Sequence, residues 1–180
     1  METMTYIYVI IIVIGLLLIW LISIYNNYQN YIIRMNEAES FIDTTLRKRF
    51  DLLNKSIEVI KNATGKKEVL TMIKDLKSVK LSNFELDRKL YEAINEFNGY
   101  KESNEELKNN EEFLKVDLGL IESEAEIVAA RKYYNDIITD YNKLVRTFPS
   151  NIVAIFARYK TKPYFDGKNM EDEDTKDMKL

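Results

Sequence analysis

The 180-residue chain contains no cysteine and no histidine, only two prolines and only five glycines. Without cysteine it forms no disulfide, carries no thiol nucleophile and offers no thiolate to zinc. Without histidine, imidazole acid–base chemistry and His-ligated metal centres are excluded, including Glu-x-x-His di-iron bundles. The shortage of Gly and Pro leaves little material for tight turns or for glycine-rich loops that cradle phosphate. A surplus of positive charge is also lacking: 26 Lys and Arg stand against 29 Asp and Glu, so nothing points to nucleic acid. With no GxSxG-like elbow either, no catalytic residue, cofactor or metal is expected, and the chain does not read as an enzyme. Its many carboxylates read as solvated helix faces. The same scarcity of turn residues predicts an all-α body.

What the chain does have is a long apolar run, Tyr6 to Tyr25, twenty residues without a charge. At roughly 1.5 Å per residue, a helix of that length crosses the ~30 Å hydrocarbon layer of a bilayer. Tyr6, Tyr8, Trp20 and Tyr25 stand near its ends, where amphipathic rings favour the headgroup zone. A buried core helix seldom runs so far without a polar face. A cleaved signal peptide needs a basic start and a small-x-small site, and the chain has neither. Residues 1–25 are therefore expected to be a transmembrane anchor. All 26 basic residues follow it, beginning with Arg34 and the cluster Arg47, Lys48, Arg49. That bias favours an outside N-terminus and a cytoplasmic body.

Beyond the span no Pro or Gly interrupts the chain until Gly65, so the span is predicted to continue into the first body helix, ending near Asn62. Ile32, Met35, Ile42, Leu46, Leu53, Ile57 and Ile60 recur on one helical face. A second helix is predicted over Lys66–Val79, with Val69, Met72, Ile73 and Leu76 inward. Ser82-Asn83 reads as the cap of a third, Phe84–Tyr100, with Leu86, Leu90, Ile94 and Phe97 on one side. Gly99–Asn110 reads as irregular. The fourth helix, Asn110–Thr147, has Phe113, Leu120, Ile127, Tyr134, Tyr141 and Phe148 at a spacing of seven. Val116, Ala130, Ile137 and Leu144 stand three residues on, interrupted at Ser123. This heptad suits a bundle core helix or, alternatively, a self-associating coiled coil. Pro149 breaks it, and Ser150-Asn151 reads as the cap of a short amphipathic helix with Ile152, Ile155, Phe156 and Tyr159 on one face. Pro163–Phe165 reads as an apolar anchor, and residues 167–180 as a disordered acidic tail. The expected architecture is thus a membrane anchor (1–25), an antiparallel up-down four-helix bundle (26–148) and a short amphipathic segment (149–166).

Several motifs resemble the LemA family of bacterial membrane proteins. They include Leu120, Glu124, Ile127, Ala130-Arg131, Tyr134-Asn135, Tyr141-Asn142, Phe148-Pro149-Ser150-Asn151 and Ala154. Lys162-Pro163-Tyr164-Phe165-Asp166 is similar to the family's KPxPYFE-like ending. Ile42-Asp43, Leu46, Lys48-Arg49 and Asp51-Leu52 resemble its IDxxLxRRxDL pattern, and Leu107-Lys108, Asn110 and Phe113 its LKxNxxF. The chain departs where Asn54-Lys55-Ser56 stands for Pro-Asn-Leu, Asn104-Glu105 for Tyr-Pro, and Arg158 and Thr161 for a Gly and a Pro. The resemblance implies a single-pass protein of the bacterial cell membrane with a helical bundle, tied to envelope function and membrane organisation, and it carries no catalytic residues.

If the first and fourth helices pack antiparallel along their length, level residues sum to about 173. That arithmetic predicts two inter-helix ion pairs, Arg49–Glu124 and Asp43–Arg131, which would fix register. Helix parity brings the segment after Phe148 back to the membrane end. Phe148, Ile152, Ile155, Phe156 and Tyr159 are then candidates for membrane or partner contact. The favoured arrangement has Ile152, Ile155 and Phe156 covering the open end of the bundle; the other lays them on the lipid interface. The expected partners are the bilayer, further copies of the chain and an unidentified membrane protein. The function expected is a membrane-anchored scaffold that assembles with itself. The alternative is a regulator or adaptor of a membrane protease or signalling protein.

Overall fold

A computed structural model describes residues 2–76 and 79–166. Among these residues the protein is helical and has no strand: α1 (Glu2–Thr64), α2 (Thr71–Leu76), α3 (Asn83–Ser103), α4 (Glu105–Lys108), α5 (Glu111–Arg146) and α6 (Ser150–Ala157). Residues group into two compact units. One takes the chain up to Glu37 with Asn135–Tyr164; the other takes Ala38–Tyr134 with Phe165 and Asp166. Helices α1 and α5 each contribute to both.

The apolar run and the first amphipathic stretch form one uninterrupted helix of 63 residues. Its N-terminal part is the one helix among the described residues long and apolar enough to cross a membrane, and no residue of its most apolar window is buried. Gly65 stops α1 in the left-handed conformation at φ 66°, and its N–H donates to the Lys61 carbonyl at 2.9 Å.

In the second unit, Ile42, Leu46, Leu53, Ile57 and Ile60 of α1 meet Leu90, Ala93 and Phe97 of α3 and Phe113, Val116, Leu120, Ile127 and Ala130 of α5. The three- and four-residue steps that predicted these faces are what a core at 3.6 residues per turn requires. The rings of Phe97 and Phe113 stack at 4.4 Å. Contacts between α1 and α5 run in reversed chain order: Glu39 with Tyr134, Lys48 with Glu126, Arg49 with Ser123, Leu52 with Gly119. At Gly119 a methyl group would stand 3.0 Å from a Leu52 methyl, so the glycine admits the leucine.

Four expectations are corrected. The second helix covers only Thr71–Leu76, because Leu70 is left-handed at φ 47° and its N–H donates to Glu96 Oε1 at 3.0 Å. Val69 and Leu70 are buried from irregular chain, so apolar spacing there reported burial and not helix. Lys77 and Ser78 lie outside the described residues. Helix α3 runs on to Ser103 and α4 follows, where irregular chain was expected. Phe148 leaves the heptad: α5 ends at Arg146 and the ring is 75% exposed. Ser150 does not cap α6, whose N-cap position is Pro149; the Ser150 hydroxyl instead donates to the carbonyls of Leu144 and Thr147 at 2.6 and 2.8 Å. The expected acidic tail, residues 167–180, lies outside the described residues.

Two caps follow the local sequence directly. Ser82 and Glu85 form a capping box: the Glu85 N–H donates to Ser82 Oγ at 3.3 Å, and the Ser82 N–H to Glu85 Oε2 at 3.0 Å. These bonds from Ser82 hold the Glu85 carboxyl below its usual pKa. Asn110 Oδ1 accepts from the N–H groups of Glu112 and Phe113, both at 3.0 Å, and starts α5.

Candidate functional site

Three features stand out, one polar and two apolar. The polar one is a ring of four charges in the second unit. Arg49 of α1 has no exposed surface, although it is the largest fully buried side chain. Its Nε donates to Ser123 Oγ at 3.0 Å, its Nη1 to Asp87 Oδ1 at 3.3 Å and its Nη2 to Glu124 Oε2. Arg131 closes the ring, with Nη1 3.0 Å from Asp87 Oδ2 and Nη2 3.8 Å from Glu124 Oε1. Two guanidiniums thus face two carboxylates contributed by three helices, and the local charge is balanced. Burial raises the Asp87 pKa above that of an ordinary aspartate. The Arg131 and Arg49 charges pull it down, and Glu124 adds to the rise. A cleft of roughly 430 Å³ opens onto the ring, with Arg88, Tyr91 and Glu92 along its edge.

The structure brings Arg49 and Glu124 together, and it does not bring Asp43 to Arg131. Asp43 sits one turn from Arg47 and pairs with it at 2.8 Å, while Arg131 turns inward to Asp87. Asp87 was the residue missing from the sequence reading. It stands three residues before Leu90 and ten before Phe97, on the inward face of α3, and an aspartate there needs a cation. Each carboxylate of the ring is held by guanidinium. Among the described residues no group of Asp and Glu is arranged to hold a metal ion.

The second feature is an exposed stripe on α5. Leu114, Leu118, Ile121, Ala125 and Val128 follow steps of four, three, four and three, and all five are exposed, Leu118 by 58% and Ile121 by 60%. At 100° per residue this stripe is turned about 150° from the buried Phe113–Ala130 stripe. α5 therefore carries two heptad seams. The inner one was legible as core, whereas the outer one lacks aromatics and is interleaved with charge.

The third feature lies in the first unit. The Tyr28 hydroxyl donates to the Leu144 carbonyl at 2.7 Å, and its ring meets Tyr141 edge-on at 5.9 Å and Tyr159 at 4.6 Å. The Gln29 amide donates to the Tyr159 hydroxyl at 2.6 Å. Asn142 clamps the chain after α6 on both sides, donating to the Lys162 carbonyl and accepting from its N–H, each at 2.8 Å. This cluster seats α6 beside the end of the apolar run. Leu17, Trp20, Leu21, Ile22 and Tyr25 face Ile152, Val153, Phe156 and Ala157 across a groove of about 690 Å³. The inward residues of α6 are Val153 and Ala154; Ile155 and Phe156 are 73% and 85% exposed. The favoured expectation that Ile152, Ile155 and Phe156 cover the end of the bundle is therefore overturned. Tyr159 is not on their face: Arg158 is left-handed at φ 58°, which ends the helix and returns the tyrosine to Tyr28.

Comparison with curated proteins found no match. A model of the LemA family matches residues 38–179, which include the charge ring, both α5 seams and α6. Over most of its length the chain carries the family's sequence pattern, and it belongs to the LemA family.

Proposed function

We propose that the chain is a single-pass, membrane-anchored helical scaffold that assembles with copies of itself and acts in organising the bacterial membrane or envelope. The reading takes residues 6–25 as the span, supported by a helix of sufficient length whose apolar window holds no buried residue. It takes the body as an antiparallel up-down bundle whose second arm is mostly irregular chain, supported by the reversed order of α1–α5 contacts. It assigns no catalysis, because the charge ring is internally neutralised and register is what such a ring supplies. The cytoplasmic side is proposed for the body, with the N-terminus outside.

The observation that carries self-assembly is the outer seam of α5. A heptad of exposed apolar residues along a 36-residue helix is the surface a second such helix covers. The experiment is cross-linking and light scattering of the intact protein in detergent, alone and with Leu118→Lys and Ile121→Lys together. The expected result is an oligomer that the double variant reduces to monomer while helix content is retained. A monomeric parent protein, or an oligomer indifferent to both lysines, would rule this assembly out.

A further inference from the structure

The groove beside α6 has a chemistry that the scaffold reading leaves unused. Its walls include Leu17, Trp20 and Ile22 from the apolar run and Val153, Phe156 and Ala157 from α6, with no charged side chain among its lining residues. Trp20 precedes Tyr25 by five residues, which sets it about 7–8 Å along the helix from that boundary tyrosine. If residues 6–25 span the bilayer, on which this inference rests, the groove lies at acyl-chain depth just inside the interface. Its stretch of α1, Leu17–Tyr25, is about 12 Å long, too short to seat a partner helix of several turns. Its volume is in the range of small-ligand sites.

Charge identifies the headgroup. Residues 141–165 contain five basic residues and no acidic one. Arg158 follows directly on the groove residue Ala157; Lys160 and Lys162 come next, and all three are exposed and form no ion pair among the described residues. Basic side chains at this level attract anionic lipid, and a zwitterionic headgroup gives them no net charge to meet. We propose that the groove is a seat for one acyl chain of an anionic glycerophospholipid from the surrounding bilayer, with Arg158, Lys160 and Lys162 meeting its phosphate-bearing headgroup.

Trp20 is the single tryptophan of the chain and lines the groove, so it is a built-in probe. The intact protein is placed in nanodiscs of phosphatidylcholine. A small, fixed fraction of either phosphatidylglycerol or phosphatidylcholine carries bromine in its acyl chains, and quenching of Trp20 fluorescence is read. Brominated phosphatidylglycerol is expected to quench more strongly at equal fraction, with a preference of roughly fivefold for each basic residue engaged. Arg158→Asn with Lys160→Gln, substitutions on exposed positions that keep an αL-tolerant residue at the cap, should cut the preference to the roughly fivefold that Lys162 alone supplies. Ala157→Phe, filling the groove without changing charge, should lower quenching by the anionic lipid while circular dichroism stays unchanged. Equal quenching by both lipids, or a preference that survives all three changes, would overturn the seat while leaving the span intact. Absence of quenching by either lipid would place Trp20 outside the bilayer and overturn the span and the seat together.

Discussion

A guanidinium without exposed surface is costly unless its nitrogens find acceptors, and Arg49 Nη1, Nη2 and Nε find Asp87, Glu124 and Ser123. Removing one carboxylate leaves a buried charge uncompensated, so Asp87→Ala should destabilise the protein by about 3–5 kcal/mol in chemical denaturation. Asp43→Ala, which breaks only the exposed pair with Arg47, should give no measurable change. The ring is still not a source of stability at neutral pH. Burial holds the Asp87 pKa above its unfolded value, so its contribution is fully present below that value and is lost as pH rises through the folded one. On the proposed reading the ring supplies register, because a one-turn slip of α1 on α5 would separate Arg49 from both Ser123 and Glu124. Tyr134 gives a cleaner pH test. Burial, then the Glu39 charge and hydrogen bond, push its hydroxyl up to about 12 from 10.0. A raised phenol favours the folded state below pH 10, and that advantage fades as pH rises from 10 through 12. Each unit is worth about 1.4 kcal/mol, so wild-type stability should fall by about 2–3 kcal/mol across this window beyond the fall in Tyr134→Phe. Identical alkaline unfolding curves for the two proteins would contradict this assignment.

At the scale of elements, what the sequence revealed depended on whether burial and helix coincided. In α1, α3 and α5 they do, so the 3.6-residue period located both helix and core. At Val69 and Leu70 they do not: a left-handed Leu70, whose N–H donates to the Glu96 carboxylate, lets irregular chain bury apolar side chains. No local periodicity can distinguish that from a helix. The ion pairs divide similarly. Level arithmetic between two helices gave Arg49–Glu124, but Asp87 comes from a third helix whose rotation that arithmetic did not include. The short α6 was misread for a related reason, since its exposed residues are more apolar than its buried ones. Its place depends instead on Asn142, buried and bonded twice to the Lys162 backbone. Asn142→Ala would leave both Lys162 groups without their partner, at about 1–3 kcal/mol for each that stays buried. The expected outcome is local: proteolytic cleavage between Ala157 and Tyr164 should accelerate, while the body's thermal transition moves little. An equal loss of protection everywhere would show that the clamp is part of one cooperative core instead.

For the whole molecule, the deciding property is how charge is distributed about the apolar run. No Lys or Arg precedes Tyr6, and all 26 follow Tyr25. On the proposed reading, retention of basic flanks on the cytoplasmic side would orient the chain with its N-terminus outside, and the body would meet the inner, anionic leaflet. That placement and the basic 141–165 segment are mutually consistent, because the lipids that such a segment attracts are those of the leaflet it would face. The absence of cysteine makes the orientation directly measurable, since any introduced thiol is unique. Thr3→Cys and Ser103→Cys place one probe ahead of the span and one at the exposed end of α3. On intact cells, a membrane-impermeant maleimide should label Thr3→Cys and leave Ser103→Cys unlabelled until the membrane is opened. The reverse pattern would invert the orientation and put the body outside. Labelling of both before permeabilisation would show that residues 6–25 do not separate two compartments, and the proposed membrane anchoring would fail.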